Sequence, residues 1–152
     1  MYLYLIRHGD ALSGSPDKER LLSDRGKEET KEVGKFLQKA GIEIETVYHS
    51  GLKRAEETAE IIVKILGTKA AVKKSGLAPD DPVLSICEEI LKREEDLMIV
   101  GHMPHLSNLV SRLLVGREEA DLIDFRKSAA LALEKKFDGP WRIQWCVTPK
   151  LL

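Results

Sequence analysis

The sequence predicts an α/β fold, a three-layer α/β/α sandwich whose central sheet is mostly parallel. Short, continuous apolar runs such as 2–6 and 97–101 are typical of strands that are buried on both faces of a parallel sheet. These runs alternate with longer segments of helical period, and the connections are short. Because 152 residues suffice for one hydrophobic core, we expect a single domain over 1–152.

The first half of the chain is predicted to alternate between strands and helices. The elements are, in order, a strand at 2–6, a polar loop at 10–20, a helix from 23 to 41, a strand at 46–50, a helix at 52–66 and a weak strand at 70–73. Ser23 is a favourable N-cap residue, and Gly41 and Gly67 are favourable C-terminal stops. The segment from Ser75 to Pro82 is rich in turn-forming residues.

The second half continues the alternation and closes with two strands. Its predicted elements are a helix at 82–95, a strand at 97–101, a helix at 104–115, and strands at 129–134 and 141–147. Pro82 and Pro104 stand where the first turn of a helix tolerates proline. Asp138 and Gly139 form a favourable turn between the last two strands, which predicts an antiparallel pair at one edge.

Composition excludes several classes of protein. The 24 basic residues nearly balance the 25 acidic ones, so we expect no nucleic-acid partner. No stretch approaches the ~20 apolar residues of a membrane span, and the apolar run at 2–6 is too short for the core of a signal peptide. Cys87 and Cys146 do not form a disulfide framework, and we expect both to be buried. We therefore expect a cytoplasmic protein.

Polar clusters follow three of the predicted strands. They are Arg7-His8-Gly9, Tyr48-His49-Ser50 with Lys53-Arg54 behind it, and Gly101-His102. In a parallel sheet, ligands bind beyond the carboxyl ends of the strands, so these clusters are expected to converge. Glycine after the first histidine would let the backbone turn sharply and approach a ligand closely.

Several of these residues have two interpretations. Arg54 lies in the first turn of a helix and would be stabilised by a bound anion, or it pairs with Glu57 on the surface. Ser50 binds phosphate or caps the following helix. His102 and the N–H of Met103 face the same anion, or His102 is structural, or it shares a metal ion with His105.

The motifs resemble a known family. Arg7-His8-Gly9, Ser23 followed by Gly26, Ser50 followed by Arg54-Ala55 and Thr58, and Gly101-His102 resemble the signature blocks of the histidine phosphatase superfamily, in that family's order. The short chain, Asp10-Ala11 and Leu77-Ala78-Pro79-Asp80 resemble its small phosphohistidine phosphatases of the SixA type. The resemblance implies the phosphoglycerate mutase-like fold.

The resemblance also implies site residues. His8 would be the nucleophile, with Arg7, Arg54 and His102 as the other catalytic residues around the phosphoryl group. The substrate-binding residues would be Arg7, Gly9, Ser50, Arg54, His102 and Met103. Two guanidiniums and an imidazolium can stabilise the developing charge without a metal, so we expect neither metal nor cofactor.

One departure concerns the general acid. Larger members carry a glutamate or aspartate after the third strand, where this chain has Ala78. Asp80 or Asp81 could substitute, or these aspartates simply form the turn. An alkoxide leaving group needs a proton, whereas imidazole, with a pKa of about 6.5, leaves readily. Absence of the acid therefore favours phosphohistidine as substrate.

The resulting hypothesis is a metal-independent phosphohistidine phosphatase that forms a covalent phosphohistidine on His8. Its partner would be a phosphotransfer or phosphocarrier domain bearing phosphohistidine. The alternatives are a phosphatase of small phosphoesters with the same nucleophile, whose partner is a small phosphorylated molecule, and a non-catalytic phosphate-binding regulatory domain. We expect a monomer that contacts neither nucleic acid nor membrane.

Overall fold

A computed structural model describes residues 1–152. The elements follow in the order β1 (Tyr2–Arg7), α1 (Asp24–Lys39), β2 (Val47–His49), α2 (Lys53–Leu66), β3 (Val72–Lys73), α3 (Leu84–Lys92), β4 (Leu97–Gly101), α4 (His105–Val115), β5 (Ala130–Lys135) and β6 (Trp141–Val147). Two short 3₁₀ turns, Asp17–Glu19 and Pro149–Leu151, complete the structure. The alternation predicted from the sequence is thus confirmed.

The six strands form one sheet in the order β3-β2-β4-β1-β5-β6. The first four strands in that order are parallel, and β5 and β6 are antiparallel additions at one edge. The two central strands are β4 and β1, and their pairing ends with Arg7 opposite Gly101. Residues that follow β1 and β4 therefore emerge side by side at the carboxyl edge.

Apolar side chains from both faces of the sheet are buried in two clusters. Leu3 and Leu5 of β1 face the cluster that α3 and α4 cover, and Tyr4 and Ile6 face the cluster that α1 and α2 cover. A central strand with both faces buried needs an apolar residue at every position, which explains the continuous run at 2–6. This arrangement confirms the three-layer sandwich.

Local signals fixed several boundaries. The side chain of Ser23 accepts the N–H of Gly26 at 3.0 Å and caps α1 as predicted. Gly67 ends α2 with a φ of +67°, in the left-handed region that favours glycine. The cis peptide bond before Pro104 precedes α4.

One helix is shorter than predicted. α3 begins after Val83, so Pro82 lies before the helix rather than in its first turn, and Lys92 is its last residue. The chain is extended at Arg93, and Asp96 accepts the backbone N–H of Tyr2 at 2.6 Å. The polar residues 93–95, which the sequence pattern assigns to the end of a helix, instead form with Asp96 the connection to β4, and Asp96 hydrogen-bonds to the start of β1.

Two further findings bear on the class of protein. None of the four helices combines the length and the apolar character that spanning a membrane requires. Cys87 is buried as expected, but Cys146 is exposed on the edge strand β6, where alternate side chains leave the core.

Candidate active site

Two histidine rings lie side by side beyond the central strands. The backbone N–H of His8 donates to the carbonyl of Gly101 at 2.9 Å, which continues the β1–β4 pairing past the strand ends. The ring centroids of His8 and His102 are 5.0 Å apart and the planes are inclined by 46°. The adjacent central strands thus bring these residues together from opposite halves of the chain.

The hydrogen bond of His8 determines its tautomer. Its Nδ1 lies 2.7 Å from the carbonyl oxygen of Gly9. Because a carbonyl oxygen can only accept, Nδ1 carries the proton and Nε2 keeps its lone pair. The side chain is 8% exposed, so Nε2 is the nucleophilic atom of a neutral and nearly enclosed ring.

Burial also keeps His8 neutral. The pKa of His8 is lowered from 6.5 to about 4, chiefly by burial. The hydrogen bond to the Gly9 carbonyl raises the pKa, and the charges of Arg54, Arg7 and Lys127 lower it. The imidazole is therefore unprotonated at neutral pH. A neutral ring among cations can attack an electrophile that carries negative charge.

His102 is buried more completely, with 1% exposed. Burial first, and then His8 and Arg54, lower its pKa from 6.5 to about 3. The imidazolium expected from the sequence is therefore not the form of His102 in the free site, because neighbouring cations disfavour a further positive charge. A bound phosphoryl dianion would act in the opposite direction and favour protonation.

Ser50 orients His102 instead of capping a helix. Its Oγ lies 2.6 Å from Nε2 of His102 and accepts the N–H of Leu52 at 3.2 Å. Leu52, not Ser50, is the N-cap residue of α2, and no side chain caps that helix. The hydroxyl thus fixes the plane of the second imidazole beside the nucleophile.

Arg54 is held by a residue that the sequence did not single out. Its Nη1 donates to the carbonyl of Asp17 at 2.9 Å, and its Nη2 lies 3.3 Å from the carboxylate of the same residue. The side chain of Arg54 is 6% exposed, against 66% for Asp17. Glu57, the surface partner in the alternative interpretation of Arg54, accepts the N–H of Leu22 instead.

Arg7 brings a second guanidinium to the strand ends. Its Nη1 donates to the carbonyl of Phe125 at 2.7 Å, and no carboxylate lies within ion-pair distance. Its Nε is buried without a hydrogen-bond partner. Burial lowers the pKa of Arg7, although arginine stays charged. An anion at the strand ends would complete its hydrogen bonding.

Gly9 is needed for its small size. A side chain there would come within 3.0 Å of Thr30 and of the Gly26 carbonyl, and Gly9 is absent from the residues with positive φ. Gly9 therefore adopts no left-handed conformation, and the close approach of α1 to the loop is the reason for glycine. The N–H of Gly9 donates to Thr58 at 3.0 Å.

Asp10 joins this loop to its surroundings. Its carboxylate accepts the hydroxyl of Ser23 at 2.7 Å and pairs with Lys127 at 2.8 Å. Hydrogen bonds to Lys127 and Ser23 lower the pKa of Asp10. Asp10 therefore orients the loop that carries the nucleophile.

The candidate acids lie in a turn. The carboxylate of Asp81 accepts the N–H of Ala78 at 2.9 Å, and Asp80 is exposed without a hydrogen bond from its side chain. Neither carboxylate is bonded to His8, Arg54 or His102. The carboxylate that contacts Arg54 is that of Asp17. The only sequence signal for its position is Pro16, which precedes it and marks the start of a short turn.

Two remaining predictions have less support. The side chain of Met103 packs against the core cluster of α3 and α4, so the predicted contact of Met103 with an anion depends on its backbone N–H alone. His105, the second candidate metal ligand, is completely buried in α4. No group of three or more His, Cys, Asp or Glu side chains is arranged to hold a metal ion.

Comparison with known proteins gives one matching family. Residues 3–78 match the model of the histidine phosphatase superfamily (branch 1). Phosphohistidine phosphatase SixA of Escherichia coli (strain K12) is 27% identical over 155 residues, covering 98% of this chain and 94% of that protein. Serine/threonine-protein phosphatase Pgam5, mitochondrial, of Drosophila mojavensis is 44% identical over 63 residues, and the match spans 22% of its length.

The structural comparison covers the whole chain. The protein histidine phosphatase SixA complexed with tungstate superposes with a TM-score of 0.89 and 27% identity, over 99% of each chain. The likeness therefore extends to β5 and β6, beyond the residues that the family model matches.

Proposed function

This chain belongs to the histidine phosphatase superfamily, and we propose that it is a metal-independent phosphatase of protein phosphohistidine with His8 as covalent nucleophile. The observation that carries the proposal is the tautomer of His8, whose Nδ1 proton is bound by the Gly9 carbonyl. Nε2 is thereby left as a free lone pair beside Arg7, Arg54 and His102.

The first chemical step transfers the phosphoryl group. Nε2 of His8 attacks phosphorus in line, a new N–P bond forms, and the N–P bond of the substrate breaks. The substrate ring carries a proton on its other nitrogen, so it takes the bonding pair and departs as neutral imidazole. Arg7 and Arg54 hold the equatorial oxygens and stabilise their charge. The proton on Nδ1 of His8 stays on the ring throughout and is donated in a hydrogen bond to the Gly9 carbonyl.

The second step returns His8 to its starting form. Water attacks the phosphohistidine, a P–O bond forms, the N–P bond breaks, and Nε2 regains its lone pair. One proton of the water stays on the inorganic phosphate that is released, and the other passes to solvent. His102, oriented by Ser50, donates to a phosphoryl oxygen in both steps.

The leaving group favours phosphohistidine over an ester. Asp81 is engaged in its turn and Asp80 faces solvent, so neither stands ready to protonate an alkoxide. A phosphohistidine ring that is protonated on its other nitrogen needs no such acid, because it leaves as neutral imidazole, whose conjugate acid has a pKa of about 6.5. The likeness to SixA over the whole chain supports the same substrate class.

The main alternative is a phosphatase of esters, a substrate class that the partial likeness to Pgam5 favours.

For the phosphohistidine phosphatase, we propose a phosphotransfer or phosphocarrier domain as partner. We further propose that the protein is a monomer in the cytoplasm, where its two unpaired cysteines would stay reduced.

The test measures phosphate release, with chelator present, from a phosphocarrier protein phosphorylated on histidine and from p-nitrophenyl phosphate. Wild type should favour the phosphoprotein, and His8→Ala should lose about 10³-fold or more on both substrates while its circular dichroism and melting temperature stay close to wild type. Rapid quenching with labelled substrate should trap an alkali-stable label on wild type only.

Other outcomes select the alternatives. Turnover of an alkyl phosphoester, which has a poor leaving group, would make the protein an ester phosphatase if Asp80→Asn or Asp81→Asn reduced it. Binding of the phosphoprotein with no release of phosphate would make it a regulatory domain. Wild-type activity of His8→Ala would overturn the mechanism.

A further inference from the structure

A charged groove lies beside the nucleophile, and Arg7 forms part of its wall. Its volume is about 570 Å³, and none of its lining residues is hydrophobic. Five cations line it: Arg7, Arg25, Arg126, Lys127 and Lys150. We call it the basic groove.

The charges of the basic groove do not cancel. Its three acidic residues each pair with one of its cations, Asp10 with Lys127 at 2.8 Å, Glu29 with Arg25 at 3.0 Å, and Asp124 with Arg126 at 3.3 Å. Arg7 and Lys150 have no carboxylate within 4.0 Å. The groove therefore has a net charge of +2, whereas the whole chain has a net charge of −1.

The basic groove is close enough to the nucleophile to act on the same substrate. Arg7 belongs to both places, and the charges of Arg7 and Lys127 reach the ring of His8. Lys150 lines the groove from the 3₁₀ turn Pro149–Leu151, which follows β6, a strand that lies two positions from β1 in the sheet. A substrate whose phosphoryl group occupies the site can therefore extend toward Lys150.

We propose that the basic groove binds carboxylate side chains of the substrate protein that flank its phosphohistidine. This inference rests on the proposed function. None of the lining residues is hydrophobic and five are cations, so recognition here depends mainly on charge. Charge pairs at a solvated rim accelerate encounter and fix orientation without tight binding, which suits a phosphatase that must release its product protein.

The experiment compares two synthetic phosphohistidine peptides of equal length, one with glutamates flanking the phosphohistidine and one with glutamines. Wild type should hydrolyse the glutamate peptide with a kcat/KM about three- to tenfold higher, and the preference should decline as salt is added. Lys150→Glu should remove the preference for the glutamate peptide, while turnover of p-nitrophenyl phosphate stays within about twofold of wild type.

A matched control separates local from overall charge. Lys136→Glu makes the same change in an exposed residue at the turn after β5, at the opposite end of the sheet from Arg7, because β5 runs antiparallel to β1. It should keep the wild-type preference. A preference lost equally in both variants would overturn the proposal, because net charge and not the groove would then set it.

The remaining outcomes distinguish the two proposals. Equal hydrolysis of the two peptides by wild type overturns the groove inference and leaves the phosphohistidine phosphatase standing. Hydrolysis of neither peptide, while the ester is still hydrolysed, overturns both. A glutamate preference that survives in Lys150→Glu places recognition elsewhere and overturns the groove inference alone.

Discussion

The carboxylate of Asp17 lies 3.3 Å from the guanidinium of Arg54, across 37 positions of sequence. Arg54 is enclosed and Asp17 is largely exposed. A surface turn therefore sets the orientation of a buried arginine that faces the nucleophile.

Replacing Asp17 tests this orientation. We expect Asp17→Ala to lower kcat/KM about tenfold because Arg54 loses a fixed direction, and Arg54→Ala to lower it about 10²-fold or more because the charge itself is lost. Asp80→Ala, which changes an exposed aspartate in the turn between β3 and α3, is the control and should match wild type. An increase in kcat/KM for Asp17→Ala would mean instead that its carboxylate competes with phosphate.

The protonation of His8 is open to direct measurement. Because burial lowers its pKa to about 4, the ring should remain the neutral Nδ1–H tautomer from pH 8 to about pH 5. Long-range ¹H–¹⁵N spectra would give the titration and the tautomer together, with His8→Gln to assign the signal. A midpoint near 6.5, or a proton on Nε2, would contradict the proposed nucleophile.

Acid should destabilise the fold before carboxylates titrate. All four histidines have lowered pKa values, chiefly through burial, with His8 at about 4 and His102 at about 3. The unfolded chain takes up these protons near pH 6.5 and the native state does not, so stability is complete above that pH and declines below it. His8 and His102 should each cost about 2 kcal/mol at pH 5.

Urea unfolding at pH 7.5, 6 and 5 measures this loss. The variant His8→Gln has one fewer titrating imidazole, so its free energy of unfolding should fall less between pH 7.5 and pH 5. A free energy of unfolding that is constant from pH 7.5 to pH 5 would show that these rings are protonated in the native state.

Gly26 should tolerate no side chain. A Cβ there would lie 2.1 Å from the carbonyl oxygen of Asp10, and that contact is with backbone rather than with a flexible side chain. We expect Gly26→Ala to lower the free energy of unfolding by about 3 kcal/mol and to reduce activity, since the loop of the nucleophile must shift. Gly139→Ala, with its nearest contact at 3.4 Å, should be nearly neutral. Equal melting temperatures would refute the close approach.

Strand ends were predictable because apolar runs mark buried strands and parallel strands share an edge. His8 and His102 could be placed together for that reason. Asp17 could not, because its contact with Arg54 depends on how a polar loop folds back over α2, and no periodic pattern reports that. The role of Ser50 could not be predicted either, because its position shortly before α2 is compatible with capping that helix as well as with a contact to His102.

The role of Gly9 needed the structure for a different reason. Glycine in a sequence signals either unusual backbone angles or a lack of space, and only the proximity of Thr30 and Gly26 distinguishes the two. The early end of α3 likewise depends on a distant partner, since Asp96 bonds to Tyr2.

The pairing of β1 has a consequence for local unfolding. β1 is hydrogen-bonded to β4 on one side and β5 on the other, and the amide of His8 is bonded to Gly101. Its amides should exchange with solvent only when the molecule opens globally, whereas those of the exposed 3₁₀ turn at Asp17 should exchange through small local fluctuations. If the proposed phosphoprotein docks here, it would deform that turn more readily than it would move the nucleophile.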